Sequence, residues 1–178
     1  MLVFVGGSSR DTDEKCFNCA AESIGEFIAR NGHDFVFGGC NFGLMGVTYR
    51  EVAKNPDCEI HAVLASEYAD DLKEIKYHTA YLLDTVGQRK DTMLKLADKM
   101  IFLPGGIGTI DEIMTAIEAL RTHQFEGEII ILNLNGYYDS LIHQLGYARW
   151  KGFSEDIDSY CRVFTNTRDA ISYLEKQN

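Results

Sequence analysis

The sequence predicts an α/β fold of three layers, in which helices cover both faces of a doubly wound, mainly parallel sheet. Short apolar runs, such as Leu-Val-Phe-Val at 2–5 and Ile-Ile-Ile-Leu at 129–132, alternate with longer helical patterns. Strands that are apolar throughout are typical of sheets covered on both faces. Glycine pairs follow several of these runs, and the ends of parallel strands are where such folds bind ligands.

The apolar runs predict the strands, and the patterns between them predict the helices. Strands are expected at 2–5, 34–37, 59–64, 79–83, 99–103 and 128–132. Helices are expected at 12–31, 43–54, 86–98, 109–122 and 138–150. The first helix has an apolar face and stops at Asn31-Gly32. Residues 66–77 are the least regular stretch, and residues 161–176 are expected to add a short extended piece and a last helix.

The composition favours one globular domain over residues 1–178. The chain has 178 residues, 46% of them hydrophobic, and only two prolines, which is enough to form a sizeable core. A net charge of −10 argues against binding to a nucleic-acid backbone, which needs Lys and Arg. No apolar run reaches the length of a membrane span, and the N-terminus reads directly as a strand. We therefore expect a cytoplasmic protein with no nucleic-acid or membrane partner.

Cysteine and histidine give no sign of a metal site or a disulfide framework. The five cysteines are an odd number spread along the chain, so we expect reduced thiols. Cys16 and Cys19 have C-x-x-C spacing, but no second pair supplies further ligands. The five histidines stand singly, without the spacing of metal ligands. We expect no metal.

A glycine-rich turn at 104–109 is the clearest candidate binding feature. It joins an apolar strand to a helix, and the N–H groups at a helix start attract an anion. Gly105, Gly106 and Gly108 have no Cβ, so a phosphate could approach the backbone. Thr109 is not preceded by the Lys of a Walker loop, and Gly6-Gly7-Ser8-Ser9 lacks the dinucleotide fingerprint. The turn therefore favours a mononucleotide or a sugar phosphate.

Topology predicts which other residues lie beside this turn. In a doubly wound sheet, the start of a helix and the end of the next strand lie at the same edge. Arg89 and Lys90, at the start of the helix before the turn, should therefore stand next to it. The loops at 6–9 and 38–43 end at the same edge. Serine hydroxyls, free amides, a guanidinium and the Glu112 carboxylate would then surround one crevice suited to a nucleoside monophosphate.

Glu112 and Arg89 each have a structural alternative. Thr109-Ile-Asp-Glu112 fits a capping box, in which Glu112 would only bond the N-terminus of its own helix. As a functional group, its carboxylate could stabilise positive charge on a ribose carbon or orient the attacking water. Arg89 could be a solvated charge. A cation at a helix start opposes the dipole, however, which favours a functional role.

Several motifs resemble those of the Lonely Guy (LOG) family, the cytokinin riboside 5′-monophosphate phosphoribohydrolases once labelled lysine decarboxylases. Pro104-Gly-Gly-Ile-Gly-Thr-Ile-Asp-Glu112 resembles the family signature P-G-G-x-G-T-x-x-E. Gly38-Gly-Cys-Asn-Phe-Gly-Leu-Met-Gly46 resembles G-G-x-x-x-G-L-M-G, and Arg89-Lys90 resembles the family's R-K pair. Asn133-Leu-Asn-Gly-Tyr-Tyr138 resembles N-x-x-G-Y-Y. The similarity covers residues 2 to about 145.

The resemblance implies a Rossmann-like homodimer that hydrolyses the N-glycosidic bond of a nucleoside 5′-monophosphate. The substrate would be AMP or an N6-modified AMP such as a cytokinin riboside monophosphate, and the products a free base and ribose 5-phosphate. No cofactor is implied. Arg89 and Glu112 would be the catalytic pair. The expected substrate- and phosphate-binding residues are Ser8, Gly39, Lys90, Gly105, Gly106, Ile107, Gly108 and Thr109.

The chain also departs from the family pattern in places that concern the base. The first loop, the segment 84–88 before Arg89, and Glu118, where plant members carry Thr, all differ. The family's upstream acidic contact could be Asp71 or Glu74. The alternative to an enzyme is a non-catalytic nucleotide-binding or molybdenum-cofactor carrier protein, because related folds use the same glycine turns only to bind.

Overall fold

Seven parallel strands form one sheet at the centre of the computed structural model, which describes residues 1–177. The strands run in the order β4-β3-β2-β1-β5-β6-β7. Their bounds are β1 (Leu2–Gly6), β2 (Asp34–Phe37), β3 (Ile60–Ala65), β4 (Thr79–Leu83), β5 (Lys99–Phe102), β6 (Glu128–Leu132) and β7 (Arg162–Phe164). Every adjacent pair is parallel, so the helices must return the chain across the faces of the sheet.

Six α-helices cover the two faces of the sheet. They are α1 (Lys15–Arg30), α2 (Gly43–Val52), α3 (Val86–Leu96), α4 (Ile107–Arg121), α5 (Asp139–Trp150) and α6 (Thr167–Glu175). Because side chains alternate along a strand, Val3 and Val5 pack with α1, α2 and α6 in one cluster. Phe4 points the other way, into a second cluster with α3, α4 and α5. The three layers predicted from the sequence are confirmed.

Most element predictions agree with the structure, with differences at the ends. Each predicted strand is present, and the last segment forms β7 and α6. Residues 66–77, predicted to be irregular, contain a 3-10 helix at Ser66–Glu74, and shorter 3-10 turns occur at Leu134–Gly136 and Ile157–Ser159. All five cysteines are free thiols. No helix within residues 1–177 combines the length and apolar character needed to cross a membrane.

The strand order reverses at β1, and this reversal positions the site. From β1 the chain first builds outward through β2, β3 and β4, and then crosses to β5 on the other side of β1. The loops that follow β1 and β5 therefore lead into helices on opposite faces of the sheet, α1 and α4. A crevice opens between such loops at the carboxyl ends of the strands, where α/β proteins bind ligands.

Close packing of α1 against α2 gives a direct test of this fold. A Cβ on Gly25 would lie 2.6 Å from the Glu51 Cβ and 2.7 Å from the Thr48 carbonyl oxygen. We therefore expect Gly25→Ala to lower the free energy of unfolding by about 1–3 kcal/mol through overpacking. Gly146 in α5 is the matched control, because a Cβ there meets nothing within 4 Å. Gly146→Ala should stabilise by roughly 0.5–1 kcal/mol. Urea unfolding of both variants measures the difference, and equal effects would contradict the packing.

Candidate active site

A cavity of about 740 Å³ opens at the carboxyl edge of the sheet, beside the β1 reversal point. It is lined by the loops that follow β1, β2, β3 and β5 and by the first turns of α3 and α4. Its volume falls in the range of ordinary small-molecule sites. The cavity therefore matches the position predicted from the strand–helix alternation.

An ion pair between Arg89 and Glu112 lies on the wall of this cavity. Arg89 Nη2 is 3.0 Å from Glu112 Oε1, and the two side chains are 20% and 8% exposed. Arg89 Nε also donates to the Val63 carbonyl of β3, at 3.2 Å. The guanidinium is thus held by both a strand and a helix. Such double anchoring fixes its orientation toward the cavity.

The first turn of α3 places Arg89 at this point. Thr85 caps the helix by accepting from the Gln88 backbone N–H at 3.1 Å, and the Gln88 side chain accepts from the Thr85 N–H in return. This capping box fixes where the helix begins. Arg89 then follows in the first turn, with its own N–H bonded to the Thr85 carbonyl at 3.1 Å.

Burial perturbs the acidity of Glu112. Desolvation raises the pKa of this carboxyl, while the charge and hydrogen bond of Arg89 act to lower it. The raised pKa indicates that desolvation outweighs the stabilisation that Arg89 gives to the charged form. A perturbed carboxyl in a cleft is typical of a catalytic acid, base or charge-stabilising group.

The capping-box interpretation of Glu112 is wrong. Helix α4 begins at Ile107, with Gly106 at the N-cap and no side-chain cap. Thr109 is therefore already inside the helix and buried. The N-cap is Gly106 of the glycine turn, and it receives no bond from the Glu112 side chain. Glu112 pairs with Arg89 instead.

Two tyrosines hold the glycine turn from outside. Tyr138 donates its hydroxyl hydrogen to the Leu103 carbonyl at 2.7 Å, and Tyr137 donates to the Gly105 carbonyl at 2.8 Å. In a trans peptide, the N–H of the next residue points opposite to the carbonyl. Tyr137 thus aims the Gly106 N–H away from itself. The turn's carbonyls are occupied, and the unpaired amides at the start of α4 remain available to an anion.

The structure brings most of the predicted binding residues to the cavity. The lining includes the catalytic candidates Arg89 and Glu112 and five of the predicted binding residues: Ser8, Gly106, Ile107, Gly108 and Thr109. The β1 loop is tied to the turn, since the Ser8 N–H donates to the Pro104 carbonyl at 3.0 Å. Hydroxyl groups, backbone amides and the ion pair therefore share one cavity.

Three predicted binding residues lie outside this lining. Lys90 Nζ is 2.8 Å from Asp111 Oδ2, so Lys90 forms an ion pair that joins α3 to α4. Gly39 has a φ of +76°, and a Cβ there would lie 2.6 Å from Leu64. A Cβ on Gly105 would lie 2.1 Å from Thr109 Oγ1. Gly39 and Gly105 are therefore needed for close backbone packing, and their contact with substrate stays a prediction.

The far wall contains residues that the sequence argument missed or left open. Of the two acidic candidates Asp71 and Glu74, only Asp71 lines the cavity. Arg10 and Tyr68 line it as well. Arg10 directly follows the Ser8-Ser9 loop, which was the available signal, whereas Tyr68 lies in the segment with no regular pattern. Within residues 1–177, no group of three or more His, Cys, Asp or Glu side chains is arranged to hold a metal ion.

Comparison with known proteins identifies the family. A family model described as "Possible lysine decarboxylase" matches residues 45–174. Rice (Oryza sativa subsp. japonica) LOGL2, named as a probable cytokinin riboside 5′-monophosphate phosphoribohydrolase, is 30% identical over 178 residues, covering 99% of this chain and 72% of the relative. The chain belongs to the LOG family. Rice LOGL5, also named as a probable cytokinin riboside 5′-monophosphate phosphoribohydrolase, is 30% identical over 153 residues, and the match covers 86% of this chain but 61% of that relative's length.

Solved structures with lower sequence identity share the fold. The molybdenum cofactor (Moco) carrier protein from Chlamydomonas reinhardtii superposes with a TM-score of 0.70 at 15% identity, covering 98% of this chain and 95% of that chain. At this identity the likeness shows the fold alone. The LOG-family chain thus has the three-layer Rossmann-like architecture, and its activity has to be argued from its site.

Proposed function

We propose that this LOG-family protein hydrolyses the N-glycosidic bond of a nucleoside 5′-monophosphate, AMP or an N6-modified AMP, to a free base and ribose 5-phosphate. The observation that carries the proposal is that the Arg89–Glu112 pair and the amide-lined turn at 106–109 line the same cavity. The activity for which the two rice relatives are named agrees with it. The buried carboxylate is the feature that a protein serving only to carry a ligand would not need.

The residues divide the reaction between them. The phosphate binds to the backbone amides of the turn, and this places the ribose beside Glu112. As the bond from the ribose carbon to the base nitrogen breaks, its electron pair leaves with the base and positive charge develops on the ribose. Glu112 stabilises that charge or orients the water, whose oxygen bonds to the ribose carbon while its proton goes to the base. Arg89 orients the ribose phosphate and balances the carboxylate.

The end of the cavity beside β3, away from the glycine turn, suits the base of the nucleotide. Met45, Leu64, Tyr68 and Val86 contribute to an apolar wall, and Asp71 supplies a carboxylate there. The loops after β1 and β3 are separated by two strand spacings, roughly 10 Å. A phosphate at the β1–β5 end and a purine at the β3 end therefore fit the direction of the crevice. An aromatic side chain and one carboxylate are enough to stack on a base and bond its edge.

Removing either member of the pair should stop the reaction. Glu112→Gln keeps the shape and removes the charge, and we expect kcat for AMP or isopentenyl-AMP to fall by roughly 10²-fold or more. Arg89→Ala should cause a similar loss. Glu26→Gln in α1 and Arg168→Ala in α6 are matched controls, because these exposed residues lie outside the cavity lining. Chromatography of the released base and ribose 5-phosphate measures each rate.

Two results would contradict the enzyme proposal. One is a wild-type protein that releases no base from any member of a panel of nucleoside monophosphates. The other is full activity in both pair variants. Nucleotide binding by calorimetry without any product would instead support the non-catalytic carrier.

We also propose that the protein works as a cytoplasmic homodimer without nucleic acid. The five free cysteines fit a reducing compartment, and the charge of −10 repels a nucleic-acid backbone. For the dimer, Ile107, Ile110 and Met114 form an apolar row on α4 and are 89%, 37% and 36% exposed. Apolar rows of this kind are typical of subunit interfaces. Because Ile107 also lines the cavity, a second copy would border the site.

A charge placed in this row should separate the subunits. We expect wild-type protein to sediment as a dimer and Ile110→Asp to sediment as a monomer, since an unpaired carboxylate would be buried in the interface. Sedimentation velocity at several protein concentrations measures both. A monomeric wild type at all concentrations, or a dimer that Ile110→Asp leaves intact, would contradict the proposed interface.

A further inference from the structure

The positively charged side chains around the cavity differ in whether they form ion pairs. Arg89 is paired with Glu112, and Lys90 is paired with Asp111 outside the lining. Arg10 lines the cavity, is exposed, and makes no ion pair among residues 1–177. Within the described residues, Arg10 is therefore a cavity-lining cation whose charge is not offset by an ion pair.

The backbone of Arg10 is fixed although its side chain is exposed. Its N–H donates to Ser8 Oγ at 3.0 Å, and the Ser8 hydroxyl donates to its carbonyl at 2.7 Å. On the other side, a Cβ on Gly43 would lie 2.7 Å from both the Arg10 nitrogen and the Arg10 oxygen. The residue is thus held between its own loop and the start of α2.

The same loop is attached to the glycine turn. The Ser8 N–H donates at 3.0 Å to the carbonyl of Pro104, the first residue of the turn at 104–109. Arg10 thus belongs to a loop that is bonded to the residue before Gly105, and it lines the same cavity as the residues at the start of α4. The neighbouring Asp11 accepts from the Gly43 N–H through Oδ1 at 3.0 Å, and it makes no ion pair with Arg10 among residues 1–177.

A phosphate monoester carries more negative charge than the start of one helix offsets. The group carries roughly −1.5 to −2 at neutral pH, whereas a helix start contributes about half a positive charge. Glu112 already offsets Arg89. A guanidinium can close the difference because its planar donors match two phosphate oxygens.

We propose that Arg10 binds the 5′-phosphate of the nucleoside monophosphate. The inference rests on the proposed function, since it concerns the substrate of the same site. It adds a cation with no ion pair among residues 1–177 to a phosphate site that otherwise has backbone amides, hydroxyls and the paired Arg89. Arg10 acts on binding, and the glycosidic bond is left to Glu112 and Arg89.

Steady-state kinetics with AMP test this division. Arg10→Ala should raise KM for AMP by about 10- to 100-fold, the value of a lost charge-assisted hydrogen bond, and leave kcat within about threefold. Arg10→Lys should recover part of the loss, because the charge remains but the planar fork does not. Arg168→Ala is the matched control with the same change of charge. Thermal unfolding of each variant shows whether the fold is kept.

Binding measurements keep the test independent of turnover. Inorganic phosphate should inhibit wild type competitively, and its inhibition constant should rise in Arg10→Ala by a factor similar to that of KM. In Glu112→Gln protein, calorimetry should show AMP binding that is weakened when Arg10→Ala is added. If wild type cleaves no nucleotide, the proposed function fails, but the calorimetric difference still tests Arg10.

Two results would overturn the assignment. One is AMP affinity and phosphate inhibition in Arg10→Ala equal to those of Arg168→Ala. The other is a loss confined to kcat with KM unchanged, which would mean that Arg10 acts on the chemistry and not on phosphate binding.

Discussion

A carboxylate withdrawn from water needs a cation beside it, and the pairing of Glu112 with Arg89 meets this need across two helices. The carboxylate is 8% exposed, and its partner's Nη2 lies 3.0 Å away. Removing one member of a buried pair leaves the other uncompensated, which costs about 3–5 kcal/mol. The pair therefore links the first turn of α3 to the second turn of α4. The residues of the glycine turn line the same cavity as this pair.

The sheet supplies the rest of the arrangement through its strand order. The reversal at β1 sends the loops that follow β1 and β5 to helices on opposite faces of the sheet, and both loops line the cavity. Tyr138 bonds the Leu103 carbonyl just before the glycine turn and Tyr137 bonds the Gly105 carbonyl within it, so the Gly106 amide faces away from Tyr137. Charge stabilisation and anion binding thus come from one rigid framework. Preorganised groups of this kind need little rearrangement when charge develops on a substrate.

Much of this framework could be predicted from the sequence because it follows from period and length. Alternating apolar runs and helical patterns gave the parallel sheet. The rise of a helix and of a strand placed Arg89 beside the turn. The start of α4 was misjudged because Thr109 and Glu112 have the spacing of a capping box, whereas the glycine turn provides the cap at Gly106.

Side-chain direction and close packing could not be predicted from the sequence. Lys90 follows Arg89 directly, but neighbouring residues on a helix point about 100° apart, and Lys90 pairs with Asp111 while Arg89 pairs with Glu112. Gly39 and Gly105 look like ligand contacts because glycines favour both close ligands and close backbones. The structure shows close backbone packing at both glycines, and their contact with a ligand stays a prediction. Tyr68 was missed because a 3-10 segment leaves no clear periodic signature.

A crystal structure of the Glu112→Gln variant with AMP bound tests the central claim most directly. The claim is that the ion pair and the amide-lined turn act on one ligand. The account predicts phosphate oxygens within hydrogen-bond distance of the amides of residues 106–109, and the ribose carbon of the glycosidic bond beside position 112. A nucleotide held elsewhere, or one whose phosphate lies at the β3 end with its base on the turn, would contradict the account.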